Sequence, residues 1–418
     1  MDPLRIAIIG GGAAGCFCAI GLKRRLPDAE VTICEAGPRL LAKVAVTGGG
    51  RCNLTNSFRD VARLGEVYPR GEQLMRRALA AFSHEDTMRW FEAEGVRLVV
   101  QEDQCVFPVS QDAMQIVRTL ERCLRETGVR VRLNAPVERL EAQPDGFRLE
   151  MSDRVGHDIS HSRLDRESLY DRIVVTVGGT SREKLERLLP DGVKVTDTVP
   201  SLFTLKIPDA GLRALMGTVV EQASLALAGT KFRAAGTLLL TDWGVSGPAT
   251  LRLSSYAARH LAENGYAGTL LVDWLYAPEA AAREWISATA AANAKKQAAS
   301  TPPDGITARL WRHLLGRAGL REDLRWAELG SKGAARLAAT LTADAYPVAG
   351  RARFKEEFVT CGGIDLSGIN LNTLESKVCP GLYFAGEALD VDAVTGGFNL
   401  QAAWSTAALV AGAITSGS

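Results

Sequence analysis

The sequence predicts an α/β fold in which one parallel-sheet domain is split by a long insertion. Three observations carry this. A short apolar run, a glycine cluster and a helical pattern open the chain. Short alternating runs replace that texture near residue 196, and strand and glycine chemistry returns from about residue 350. The 418-residue length fits two to three domains at roughly 150 residues each. With 46% hydrophobic and 23% charged residues the chain has the balance of a globular protein, which excludes disorder, collagen and disulfide scaffolds. Lys+Arg 49 against Asp+Glu 48 leaves a net charge of +1, so no overall field draws it to nucleic acid or anionic membrane.

Arg5-Ile-Ala-Ile-Ile9 reads as a buried strand, GGGAAG over 10–15 as a glycine turn, and CFCAIGLKRRL as the helix that follows. Val31-Thr-Ile-Cys-Glu35 reads as a second strand ending on an acid. Together they form a βαβ unit with a right-handed crossover, a Rossmann-like beginning. Residues 72–93 place Leu74, Ala78 and Phe82 at helical spacing and are expected to form one helix, with another over 112–126. A strand over 129–133, a β meander over 137–140 and 147–151, a polar loop over 152–168 and a strand over 173–177 ending at Gly178-Gly179 complete this part.

Beyond residue 196, SLFTLKI, TVVEQASLAL and GTLLLTD alternate as antiparallel strands do. Residues 277–344 are alanine-rich and helical. Pro278-Glu279 suits a first turn, Pro302-Pro303-Asp304-Gly305 breaks the run, and Ile306, Leu310, Trp311, Leu314 and Leu315 share one apolar face. Ser331 is expected to cap a third helix. The expected domains are 1–195 with 350–418 (Rossmann-like), 196–276 with 345–349 (β-rich insertion) and 277–344 (helical subdomain).

The chemistry concentrates in three glycine clusters. Gly10-x-Gly12-x-x-Gly15 follows a strand and opens a helix, with Glu35 twenty residues on. The first glycine permits the turn, the second admits a pyrophosphate, the third allows close helix–strand packing, and the acid is placed for an adenosine ribose. Thr47-Gly-Gly-Gly-Arg-Cys-Asn-Leu-Thr-Asn56 comes about a dozen residues after that acid. A nicotinamide dinucleotide has little use for a second cradle there, whereas FAD runs on through ribityl to a flat ring; Arg51, Asn53 and Asn56 are candidate donors to it. The third cluster is a strand over 380–385, then Gly386-Glu387, Asp390-Val-Asp392 and Thr395-Gly-Gly-Phe-Asn-Leu-Gln401 running into a helix. That helix N-terminus suits the flavin edge that becomes anionic on reduction.

GGGAAG, TGGGRCNLTN, LLLTDWGVSGPATLRLS and ESKVCPGLYFAGEALDVDAVTGGFNLQAAW resemble the bacterial YhiN-like or BaiN-like flavoproteins, some labelled aminoacetone-oxidase-like, over nearly the whole chain. The resemblance implies a Rossmann-like FAD-binding domain, an inserted β-rich barrel-like domain and a small helical subdomain. It implies FAD contacts at Gly10, Gly12, Ala14, Glu35, Lys43, Gly49, Arg51, Asn53, Val137, Gly178, Gly386, Glu387, Asp392, Gly397, Asn399 and Leu400. Gly15 and Cys52 join these as members of the same motifs. Two departures stand out: the family's G-S-T-G-x-G-Y run is missing after Gly179, and Ala393 stands where glycine is common.

The remaining features read more plainly. Gly244-Val-Ser246-Gly-Pro breaks the G-x-S-x-G pattern and reads as a turn. His157-x-x-x-His161 near Asp153 and Asp158 has metal-like spacing in a polar hairpin without cysteine support, so no metal site is expected. Cys52 is expected to pack rather than react. The basic stretches (Lys23 to Arg25, Arg70 to Arg77, Arg351 to Lys355) read as solvated faces, or as an RNA-binding rim. The opening residues resemble no signal peptide and no apolar run reaches membrane length, so a cytoplasmic protein is expected. The expected function is an FAD-dependent oxidoreductase using NAD(P)H as a transient reductant on an activated C=C of a small molecule. Dihydrouridine formation in ribosomal RNA and flavin binding without turnover are the alternatives, and no catalytic acid or base stands out.

Overall fold

The computed structural model describes residues 3–151, 169–352 and 359–416. Contacts divide the chain into two compact units, Met1–Val199 with Val359–Ser418, and Pro200–Phe358. The first is built on a sheet of β1 (Arg5–Ile9), β2 (Glu30–Cys34), β3 (Arg130–Arg132), β4 (Arg172–Val175) and β5 (Leu382–Phe384). Their order is β5-β4-β1-β2-β3 and every pairing is parallel. All but β3 are apolar runs buried almost throughout, as strands covered on both faces must be. Exposed β3 carries Arg130 and Arg132, charges that blunt a sheet edge.

Helix α1 (Ala13–Arg25) follows β1 and helix α2 (Phe398–Ser416) follows β5. They approach so closely that a Cβ on Gly21 would stand 3.3 Å from that of Ala411. Phe17, Phe82, Trp90, Phe91 and Trp404 interlock beside them, with ring centroids 4.8–5.6 Å apart. The unit also holds two three-stranded antiparallel sheets, one of Thr55–Asn56, Cys105–Pro108 and Leu98–Val100, the other of Val137–Gln143, Gly146–Met151 and Leu169–Tyr170.

The second unit holds a six-stranded antiparallel sheet, in the order Leu205–Lys206, Gly244–Ser246, Arg233–Leu240, Val219–Leu227, Ala267–Asp273 and Asp344–Ala349. Its edges meet: Lys206 N–H donates to Gly350 O (2.9 Å) and Ala352 N–H to Thr204 O (3.1 Å). The sheet therefore closes into a small barrel. Leu225, Leu240 and Val272 share one apolar core with Trp274, Trp311 and Trp326 and with the helices Glu279–Ala292, Ala308–Arg317 and Gly330–Ala343.

Several expectations need correction. Residues 72–93 form two helices, Glu72–Ala81 and His84–Ala93. Phe82 turns extended, the Ser83 hydroxyl accepts from Asp86 N–H (3.1 Å) and the Asp86 carboxylate accepts from Ser83 N–H (2.8 Å). This reciprocal cap starts a new helix although the apolar spacing continues across it. Ser331 lies inside Gly330–Ala343 and caps nothing. Gly244–Ser246 is a strand, and Gly247 (φ +88°) turns it into the helix Pro248–Tyr256. The 152–168 loop, with Asp153, His157, Asp158 and His161, lies outside the described residues. No helix among the described residues is long and apolar enough to cross a membrane.

Candidate dinucleotide-binding site

Gly10 leaves β1 at φ +108°, where a side chain is strained, and donates its N–H to Cys34 O at 2.8 Å. A Cβ on Gly10 would stand 2.6 Å from Thr176 O, and one on Gly15 only 2.0 Å from Gly10 O. Packing alone demands glycine at both positions. Gly12 differs: it caps α1 with an ordinary φ of −81°, no side chain caps the helix, and a Cβ would meet no atom within 4 Å. Among the described residues nothing requires glycine there. The open room lies at the positive end of α1, where first-turn N–H groups lack helical partners, and it fits a pyrophosphate. The Glu35 carboxylate receives Gly11 N–H and Gly37 N–H at 2.7 Å each, bracing the loop. Each oxygen keeps a second lone pair for a ribose hydroxyl.

The second cluster runs through Gly48, Gly49 and Gly50 at φ +58°, +66° and +80°. A Cβ on Gly49 or Gly50 would meet nothing within 4 Å. Arg51 lies over Phe107, 4.5 Å from the ring centroid, and donates to Gly48 O (3.2 Å). Cys52 is buried at φ +61° with its N–H on Thr47 O (2.9 Å), and burial pushes its thiol up to about 12.

The third cluster closes on the other two. Gly386 follows β5 at φ +68°, and a Cβ there would stand 2.7 Å from that of Ala14. Glu387 accepts from Lys43 Nζ and from Thr360 N–H, both at 2.9 Å. Gly178 (φ +74°) and Gly179 face the same carboxylate. Gly397 packs so tightly that a Cβ would stand 2.2 Å from Thr55 O. The Asn53 amide, oriented to satisfy both neighbours, accepts from Gly397 N–H (3.2 Å) and donates to Thr55 O (3.0 Å). Asn56 donates to Gly396 O (3.0 Å) and accepts from Phe58 N–H (2.9 Å). Both asparagines thus clamp the Thr395-Gly-Gly turn, where sequence reasoning made them donors to a ligand.

The other expected contacts lie around this core. Asp392 is fully buried and gripped by both arms of the Arg70 guanidinium. Asn399 holds the Ala393 N–H (2.9 Å) and C=O (3.0 Å), and Leu400 follows it in the first turn of α2. Ala393 lies outside the positive-φ region, so its methyl causes no strain. Val137 opens its strand two residues after Ala135, whose N–H donates to Glu35 O (2.9 Å). In place of the missing glycine run, Ser181 caps the helix Arg182–Leu188. Arg70, expected on a solvated face or RNA-binding rim, is instead largely buried against Asp392, because that buried carboxylate needs a cation; Thr176 and Thr360 carried no signal in the sequence. The one available signal for Arg70 was Asp392 itself, an acid between Val391 and Ala393 that calls for a cation without saying which of 49 supplies it.

The model for the HI0933-like protein Rossmann domain matches residues 4–413. The chain belongs to the HI0933-like family. It is 28% identical to the 3-dehydro-bile acid delta(4,6)-reductase of Clostridium scindens over 96% of this chain and 97% of that protein. It is equally 28% identical to the ribosomal RNA dihydrouridine synthase of Escherichia coli, over 97% of each. Among solved structures it is similar to the 3-ketosteroid delta1-dehydrogenase from Sterolibacterium denitrificans, at 13% identity and a TM-score of 0.48 over 100% of both chains. Membership of the HI0933-like family and a cradle continuing past its phosphate end together support an FAD-dependent oxidoreductase.

Proposed function

We propose that this HI0933-like protein uses FAD to add hydride to a carbon–carbon double bond conjugated with a carbonyl in a small molecule. One observation carries the cofactor reading: the three glycine clusters meet, Gly386 against Ala14 and Gly397 against Thr55, leaving open room at Gly12, Gly49 and Gly50. Gly12 and the α1 N-terminus would hold the pyrophosphate, Glu35 the ribose, and the 47–53 and 395–400 segments the ribityl and ring. When bound, FAD supplies the hydride relay between NAD(P)H and the acceptor. The chain has one dinucleotide fingerprint, so NAD(P)H would dock transiently. The substrate class rests on two of the curated relatives, a 3-dehydro-bile acid delta(4,6)-reductase and a ribosomal RNA dihydrouridine synthase, whose names both fit reduction of a carbon–carbon double bond. A protein acting on such metabolites would work in the cytoplasm.

Ribosomal RNA is the second reading, favoured by the dihydrouridine synthases of Escherichia coli and Haemophilus influenzae, each 28% identical. Against it, the basic stretches at 23–25 and 70–77 are largely partnered within the protein, while Arg353 and Lys355 of the third lie outside the described residues. Lys23 bonds Pro27 O and Ala29 O, Arg24 pairs with Glu94, Arg76 with Glu72, and Arg77 with Asn372. The test is anaerobic reduction of the purified yellow protein by NADH and NADPH, then oxidation by steroid enones, smaller enones or unmodified ribosomal RNA. Reoxidation by an enone supports the first reading. Reoxidation by RNA alone, with a dihydrouridine lost from the deletion strain, replaces it with the second. A colourless protein that FAD cannot reconstitute refutes both.

A further inference from the structure

A chain of buried polar side chains crosses the root of α2. Thr55, Gln401 and Ser405 are each fully buried, Thr55 in a short strand and the other two in a helix whose neighbouring residues Ala402, Ala403, Trp404 and Ala407 are apolar. The Thr55 hydroxyl donates to Gln401 Oε1 (2.5 Å), Gln401 Nε2 donates to the Ser405 hydroxyl (2.8 Å), and that hydroxyl donates to Phe82 O (2.7 Å). Burying an amide in such surroundings is unfavourable unless both its ends are bonded, and here both are. A leucine would fill the same space without that demand, so stability alone does not account for glutamine.

The position of Gln401 suggests what it does. Its own N–H makes an opening bond of α2, to Gly397 O (3.0 Å), while its side chain reaches sideways to Thr55. Thr55 O is the atom against which Gly397 packs, and Asn53 joins the same two residues. The Gln401 amide therefore fixes the angle at which the Thr395-Gly-Gly turn and the helix N-terminus leave the second glycine cluster. At such a terminus the N–H groups favour negative charge, and the effect fades within one turn, so a small change of aim alters it.

We propose that Gln401 is a positioning residue that aims the α2 N-terminus at the flavin ring and so raises the affinity for reduced over oxidised FAD. This rests on the FAD reading above. Gln401→Leu keeps the volume and removes the bonds; Thr55→Val and Thr55→Ser remove and retain the hydroxyl. FAD-loaded wild type and variants are titrated for midpoint potential against reference dyes, with visible spectra, FAD dissociation constants and melting temperatures taken in parallel. We expect Gln401→Leu and Thr55→Val to cut the preference for reduced FAD about tenfold, roughly 30 mV lower for a two-electron couple, while Thr55→Ser stays at the wild-type potential. Unchanged potentials with lowered melting temperatures would reduce the chain to scaffolding and overturn the proposal, leaving the FAD reading intact. If Gln401→Leu does not fold, the Thr55 pair decides alone. Wild type that takes up no FAD would refute the underlying reading instead.

Discussion

At the scale of single residues, the glycines of the first cluster separate by what they touch. Gly15→Ala must displace Gly10 O, which a Cβ would approach to 2.0 Å, and should destabilise the protein by about 1–3 kcal/mol. Gly12→Ala meets no protein atom and loses only a modest capping preference, under about 1 kcal/mol. Yet Gly12→Ala should weaken FAD binding by roughly tenfold or more, about 1.4 kcal/mol. Melting curves of the apoproteins and flavin fluorescence titrations read the two effects separately; equal stability loss at both positions would contradict the distinction. Arg70→Met leaves the buried Asp392 carboxylate without its guanidinium and should cost about 3–5 kcal/mol in urea unfolding. Asp392→Asn keeps an acceptor and should cost less.

At the scale of elements, local signals were legible and distant partners were not. The βαβ opening could be read because apolar run, glycine turn and helix follow one another without long-range help. The helix Ala113–Thr127 likewise carries its own ends, Asp112 accepting from Met114 N–H (2.8 Å) and Gly128 turning at φ +74°. The break at Ser83 was missed because Leu74, Ala78 and Phe82 keep their spacing into it; only the Ser83–Asp86 pair marks it. Ser83→Ala should therefore cost about 1 kcal/mol, measurable as a fall in melting temperature. Within the site, the glycine clusters and Glu35 could be picked out, but not the couplings Arg70–Asp392 or Thr55–Gln401. Those partners lie hundreds of residues apart, and a buried polar side chain announces only that it needs a partner.

At the scale of the whole molecule, burial governs both the thiols and the pH response. All eight cysteines are free and buried, and Cys18, Cys34, Cys52, Cys105 and Cys123 are pushed up to between about 11 and 12. The native protein should react with a thiol reagent at fewer than one site over the time that the guanidinium-unfolded chain takes to expose all eight. Burial also holds His313 below the ordinary value of 6.5, beside Tyr346 (3.1 Å) and the charges of Asp209, Asp344 and Arg317. Below 6.5 the unfolded chain takes up a proton that the folded one refuses, so this contribution to stability is lost as the pH falls through that region. His313→Gln should flatten the decline in melting temperature between about pH 7.5 and 5.5.

The arrangement of β5 beside β4, with α2 against α1, also bears on how the protein is made. The strands β1 to β4 leave the ribosome before β5 and α2, which emerge only after the whole barrel has been synthesised. Under the FAD reading, retention of the nucleotide would thus wait until Leu382 and the helix after it have emerged, and a nascent chain stalled before Leu382 would lack the third glycine cluster that this reading requires.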